Sequence, residues 1–479
     1  MPIRENRPTR STRKTNLRNK RIETTAVAMR WDKLLSTIRQ GKQGQEQGSV
    51  GRSDFQRDYD RIVYSSAFRR LQDKAQVFPL AKSDFVRTRL THSVEVSCVG
   101  RSLGTEIGLK LRSKASLHDP LVPSDVGDIV AAACLAHDIG NPPFGHTGEA
   151  AIAEWFRDSK AGREVLKGLS PNERADFEKF EGNAQGFRIL TRLQNHQNPG
   201  LQLTYSTLAA FTKYPRDSPI VRKSLPGVSW KKHGYFQSEK PFFEEVARGV
   251  GLLSMDANAS AWTRHPLAYL VEAADDICYR INDWEDGFRL KHVSQTETEE
   301  RLEAIFPGGK LPSKLDRIFS PEDRVAYLRA KAINELIEQA VTFFMQQEEV
   351  ILRGGLPIPL IEGIPSAKPL SDIYKDSKTK IYKAKEVLEI EVPGFTVLGG
   401  LLEVFLGAVN EVAVKGEKEA STKSKTILQI VPPQFLAGNR LPDESPYVRT
   451  LQVTDFVSGM TDSFAVALYK QITGISLPS

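Results

Sequence analysis

The stretch Leu135-Ala136-His137-Asp138-Ile139-Gly140-Asn141-Pro142-Pro143-Phe144-Gly145-His146-Thr147-Gly148-Glu149 decides how this chain is read. An apolar helical run, Asp128 to Ala136, leads into it, and a second helix is expected from near Thr147. An adjacent His and Asp at a helix end reach one metal ion because the chain turns between them. Imidazole with carboxylate suits magnesium or a first-row transition metal. Gly-Asn-Pro-Pro-Phe-Gly cannot continue a helix, so it is a rigid turn that returns His146 and Glu149 toward the His-Asp pair. These two are three residues apart and share a helical face. A His-Asp dipeptide alone carries little, so the reading depends on further ligands elsewhere in the chain.

The composition sets the frame for that search. The chain has 479 residues, 40% hydrophobic and 26% charged, which is ordinary for a globular protein of one large or two to three smaller domains. No uninterrupted run of 18 apolar residues occurs and no N-terminal h-region is visible, so no membrane partner is expected. Cys98, Cys134 and Cys278 are isolated in apolar patterns, which fits a reduced, cytoplasmic setting. The net charge of +7 lies in the first 22 residues, which hold eight Lys/Arg and one Glu; the rest of the chain carries 58 charges of each sign. Such an arm suits nucleic acid, an acidic neighbour or a polyphosphate, and equally a solvated tail.

Other segments supply further candidates. Residues 1–53 read as the basic arm, a short helix from Ala26 to Arg39 and a Gly/Gln linker from Gly41 to Gly51. Asp54 to Gln72 is helical and dense in arginine, as a wall beside a polyphosphate would be. Arg87 to Val96 opens a helix running to about Leu111, with His92 in its first turns and Arg89 one turn earlier. With His137 and Asp138 available, His92 is the natural third ligand. Residues 216–240 hold six Lys/Arg (Arg216, Arg222, Lys223, Lys231, Lys232 and Lys240) and read as an exposed basic loop. His265 to Trp284 is the clearest helix, with Leu267, Leu270, Val271, Ala274, Cys278 and Ile281 on one stripe. At about 100° per residue, Asp275 sits on the flank of that stripe and Asp276 almost opposite it. Tyr279 and Asp283 continue the Asp275 row at helical spacing. Residues 386–397 are β-branched and contain Pro393, which allows a short strand or hairpin. The fold expected is mainly α: a helical core over 54–300 and a mostly helical region over 301–479.

The order His92, His137-Asp138, Asp275 resembles the metal site of HD-domain phosphohydrolases. Finer motifs resemble the deoxyguanosine triphosphate triphosphohydrolases and their dNTPase relatives. These are Tyr64 to Gln72, Thr88 to Val96, His137 to Glu149, Glu181 to Gln185, Glu272 to Ile277 and Ser458 to Asp462. The resemblance implies an HD-domain helical bundle that hydrolyses a dNTP, dGTP first, to deoxynucleoside and tripolyphosphate. It implies His92, His137, Asp138 and Asp275 on a divalent ion: manganese or magnesium, with cobalt, iron, nickel or zinc as alternatives. His146 would act at the α-phosphate with Glu149 orienting it. Arg89 and Lys213 would hold phosphate oxygens, Gln72 and Asp283 would read the sugar 3′-OH, Tyr279 would pack on the sugar, and Asn183 would contact substrate. It further implies a homo-oligomer, commonly a hexamer, with single-stranded DNA or a regulatory dNTP as partner. Two other readings share part of this pattern: another HD nucleotidase or phosphodiesterase, and a non-catalytic nucleotide or nucleic-acid binder.

Overall fold

The computed structural model describes residues 28–41, 51–77, 86–195, 200–219, 227–256, 260–309, 311 and 313–476. The basic arm, most of the Gly/Gln linker, and Arg222 and Lys223 lie outside the described residues. The fold is mainly α, and among the described residues β structure is confined to isolated bridges such as Ala75 with Thr88. The helices that matter here are α1 (Asp54–Val63), α2 (Arg89–Ser113), α3 (Pro123–Ala136), α4 (Gly145–Asp158), α5 (Gly182–Arg188), α6 (Tyr205–Phe211), α7 (Pro266–Arg289), α8 (Pro321–Gln346), α9 (Ala367–Lys380), α10 (Lys385–Glu419), α11 (Pro446–Ser458) and α12 (Asp462–Ile472).

Two apolar cores organise them. In the first, α2 packs along α3 through Val96, Leu103 and Ile107 against Ile129, Val130 and Cys134, α7 and α8 close over that pair, and α9 packs on α7. Each of these helices turns an apolar stripe inward, the arrangement that removes most apolar surface from water. In the second core, Ile152, Trp155 and Phe156 of α4 meet Leu398, Leu402 and Phe405 of α10 and Leu451 and Phe456 of α11. The expected boundary at residue 300 falls within the first core. The opening fifteen-residue stretch crosses between the cores, with Leu135, Ala136 and Ile139 in the first and Phe144 in the second.

Several local expectations are corrected. Residues 386–397 are helix, the first turns of α10, not a hairpin. Buried positions recur at helical spacing from Val387 through Val397, Leu398, Leu401, Leu402 and Phe405. Burying that stripe outweighs both the local β-branched preference and the hydrogen bond that Pro393 cannot donate. This same helix is long and apolar enough to cross a membrane by length and composition, although Glu403 interrupts its apolar run. More than half of its most apolar window is buried in the protein. The first described helix is a single turn, Trp31–Leu34, anchored by two buried side chains, and Arg39 instead pairs in a bridge with Thr204. Helix α4 begins at Gly145, two residues before Thr147. The described part of 216–240 folds inward rather than forming an exposed loop. Arg216 is buried, Lys232 and Lys240 are half-buried, and only Lys231 of these cations is exposed.

Candidate active site

Three helices of the first core converge on one point. His92 lies in the first turn of α2, which Thr88 caps by accepting from the Thr91 amide. His137 is the residue that ends α3, and Asp275 sits in the middle of α7. Nε2 of His92 and Nε2 of His137 stand 3.3 Å and 3.4 Å from the same oxygen, Oδ1 of Asp275. The His137 ring is oriented by its own helix: Nδ1 donates to the Cys134 carbonyl at 2.7 Å. That leaves Nε2 buried, without a hydrogen-bond partner among the described residues, and facing carboxylate oxygens. Donor atoms of His92, His137 and Asp275 lie within 4.8 Å of one another. An orphaned imidazole nitrogen beside a second imidazole and a carboxylate fits a divalent metal ion.

Asp138 stands at the edge of this trio. Its Oδ2 is 3.4 Å from His137 Nε2, but it also accepts from Arg89 Nη1 at 2.6 Å, and Oδ1 accepts from Asn141 Nδ2 at 2.6 Å. Lys213 Nζ donates to Asp275 Oδ2 at 2.7 Å, so each carboxylate has a cation on its far side. Burial disfavours an imidazolium at His137, yet the Asp138 and Asp275 carboxylates outweigh it and raise its pKa to about 10.

The second half of the site comes from the Gly/Pro turn and α4. Phe144 adopts φ 63° and Gly145 φ 58°, two left-handed residues in succession that reverse the chain into α4. Gly140 lets this turn lie directly on α5, because a Cβ there would stand 2.1 Å from the Gly182 carbonyl and the Gly186 amide. The contact places the start of α5 beside Glu149, whose Oε1 accepts from the Gly182 amide at 2.7 Å. Its other oxygen accepts from His146 Nδ1 at 2.9 Å. Burial opposes the Glu149 carboxylate, but His146, Lys232 and the Gly182 amide hold its pKa at about 2. His146 is raised in turn, first by that hydrogen bond and then by the Glu149 charge. Its imidazole remains 80% exposed, facing open space.

That space is a cavity of about 620 Å³. Of the expected residues, Arg89, His137, Asp138, His146, Asn183, Lys213, Asp275 and Tyr279 line it. His92 and Glu149 lie just behind the wall as partners of Asp275 and His146. Asp283 also lies behind it: Tyr382 stacks on Tyr279 at 5.3 Å and donates its hydroxyl to Asp283 Oδ2 at 2.9 Å. Gln72 is exposed and outside the cavity. The glutamine in the wall is Gln76, whose buried Oε1 has no hydrogen-bond partner among the described residues. Asp276, expected to point away, also lines the cavity, and burial first, then Glu272, raises its pKa to about 7. None of the arginines of 57–70 reaches it.

Sequence reading missed Lys232, which bridges Glu181 at 2.8 Å and Glu149 at 3.5 Å. Glu181 Oε1 also accepts from Asn183 Nδ2 at 2.7 Å. A signal existed, since His233, Tyr235 and Phe236 follow Lys232 with few polar residues between them, and all three are buried.

A His-His-Asp cluster with both imidazoles buried, at the meeting of helices and opening on a cavity lined by cations and carboxylates together, fits the chemistry of a metal-dependent phosphohydrolase. In agreement, the HD domain family model matches residues 89–184, and the chain is an HD-domain phosphohydrolase. Three relatives, each described as a deoxyguanosinetriphosphate triphosphohydrolase-like protein, align with 94% of this chain and with their own full lengths. Identity is 46% to the Synechocystis protein, 43% to the Pseudomonas aeruginosa protein and 36% to the Listeria innocua protein. The chain therefore belongs to the deoxyguanosinetriphosphate triphosphohydrolase-like family.

Proposed function

We propose that this protein hydrolyses a deoxynucleoside triphosphate, dGTP first, to the deoxynucleoside and inorganic tripolyphosphate. The observation that carries the proposal is the pairing of two devices across one cavity. His92, His137 and Asp275, with Asp138 as a fourth ligand, would hold a manganese or magnesium ion. Such an ion polarises a phosphoryl oxygen and lowers the pKa of water. The chain's own groups do the rest. Arg89, Lys213 and Lys232 neutralise the triphosphate. A water oxygen bonds to the α-phosphorus as the bond to the 5′-oxygen breaks, and the departing alkoxide needs a proton. His146, held protonated by Glu149, delivers that proton from Nε2 as general acid. Gln76, rather than Gln72, reads the sugar hydroxyl with its unpartnered Oε1, and Asp283 assists from behind Tyr382. Asn183 contacts the phosphate side, and Tyr279 with Tyr382 forms the flat wall for the sugar and base.

Chromatography of products from each dNTP with added manganese or magnesium tests this. Deoxynucleoside and tripolyphosphate in equal amounts support it. Orthophosphate or pyrophosphate would make the protein a different HD phosphohydrolase, and absence of turnover would leave a binding protein.

A further inference from the structure

We propose that Asp462 is the positioning residue of the acid/base half of the site, its carboxylate clamping the two backbone amides that aim His146 and Gln76 into the cavity. The inference rests on the reading of His146 as proton donor given above. Asp462 is the first residue of α12 and is 2% exposed. Its Oδ1 accepts from the Phe144 amide at 3.0 Å and its Oδ2 from the Ala75 amide at 3.0 Å. The two amides stand one residue from the turn into α4 and one residue from Gln76. Lys74 closes the clamp: its buried Nζ donates to the Asn141 carbonyl at 2.5 Å and the Ser458 carbonyl at 3.2 Å. Its own carbonyl accepts from the Arg89 amide at 3.1 Å. The Ser458–Asp462 turn between α11 and α12 thus grips both walls of the cavity from behind.

Local sequence does not hold Phe144 where it is. Its left-handed conformation is one that L side chains avoid. It is retained because Asp462 takes its amide and α10 takes its ring. Gly394 supplies the room: a Cβ there would sit 3.1 Å from the Phe144 ring. His146 follows two residues later, so any slack at Phe144 passes to the imidazole. The carboxylate is specifically needed. Both oxygens accept, whereas an amide has one acceptor and would turn its NH₂ toward the other backbone N–H. The side-chain bonds of Asp462 go to Phe144 and Ala75 and to none of His92, His137 and Asp275; the clamp reaches their half through Lys74, whose carbonyl holds the Arg89 amide three residues before His92.

The test uses the full-length, manganese-loaded protein and the variants Asp462→Asn and Gly394→Ala. It reads metal content, kcat and KM for dGTP, and hydrogen–deuterium exchange at the Phe144 and Ala75 amides. Asp462→Asn is expected to speed exchange at both amides, keep the metal and lower kcat by about 10²-fold with little change in KM, the size of a misplacement near 1 Å. On a His146→Ala background the same change should cost little more, because the two act as one unit. Gly394→Ala, which presses on the Phe144 ring, should give a smaller fall in kcat with the metal kept. Fast exchange with unchanged kcat, or a full Asp462→Asn loss on the His146→Ala background, overturns the proposal. Should Asp462→Asn not fold, Gly394→Ala decides: unchanged kcat overturns it and a metal-loaded, slowed enzyme sustains it. A wild type that does not hydrolyse dGTP defeats the proposed function instead. The clamp is then judged by exchange alone: protection in wild type and its loss in a folded variant sustain it, and exposure in wild type overturns it.

Discussion

The two halves of the site are built in opposite ways. The His-His-Asp half is set into the first core, with His92 fully buried and its three residues on long helices that pack along most of their length. The acid/base half stands on α4, whose back is in the second core, and presents an imidazole that is 80% exposed. The difference follows from what each half must do. Ligands need fixed separations and low solvent access, which a packed helix bundle supplies. A proton donor needs reach to substrate and a partner that sets its charge, which one carboxylate supplies through an i,i+3 contact. The halves meet at the turn between Asp138 and Gly145 and, from behind, through Lys74, whose carbonyl holds the Arg89 amide and whose Nζ holds the Asn141 carbonyl.

The largest effect expected is at Asp275. Replacing it with alanine removes the oxygen shared by both imidazoles and the carboxylate to which Lys213 donates. Metal content measured by mass spectrometry should fall to background and turnover should be lost, whereas Asp276→Ala should keep the metal. Equal metal in wild type and Asp275→Ala would dissolve the distinction between the halves.

His146→Ala should do the converse. Metal and dNTP binding persist while turnover drops by about 10²- to 10⁴-fold, the usual worth of a general acid. Near-normal turnover in that variant would make His146 structural and end the two-half description.

Glu149→Gln sharpens it further. Glu149 raises the pKa of His146 through a hydrogen bond and its charge. Without that charge the imidazolium loses its proton at lower pH. A general acid is active while protonated, so the alkaline limb of the kcat–pH profile should move to lower pH, with the metal retained. An unmoved alkaline limb would show that Glu149 does not set the charge of His146.

The smallest effect concerns the basic arm. Removing residues 1–22 should leave metal content and dNTP hydrolysis unchanged, because the arm holds no residue of either half. If the arm holds single-stranded DNA, every phosphate that it neutralises adds about 0.7 to the log–log salt slope of binding, and truncation should flatten the slope by that amount per phosphate. Superimposable salt titrations of full-length and truncated protein would show that the arm touches no phosphate.

Much of this site is legible in the amino-acid sequence because its parts are local. A His-Asp pair at a helix end, a turn that must break, and a His and Glu three residues apart are all set by backbone preferences within a turn or two. The Asp275 row follows from the periodicity of one strongly patterned helix, and α7 has that helix's form. The same logic could not place residues whose orientation depends on distant partners. Gln72 and Gln76 are four residues apart, and the 3-10 turn that ends at Asp73, followed by extended Lys74, carries Gln76 rather than Gln72 to the cavity. Asp276 departs from its expected direction because the cavity spans more of α7 than the stripe suggests. Lys232 reads as surface charge until the buried carboxylates of Glu149 and Glu181 are brought to it.

By itself, then, the sequence determined the helical class and the His-Asp turn, since each depends on short-range sterics and periodicity, while the candidate ligand set rested on the resemblance of motifs far apart in the chain. Only the tertiary structure decided that residues 386–397 are helix and that the opening stretch joins two cores. It alone brought Asp462 to Phe144 across 318 residues of chain. Such contacts are selected by burial of whole helix faces, a sum over many distant residues that no local window contains.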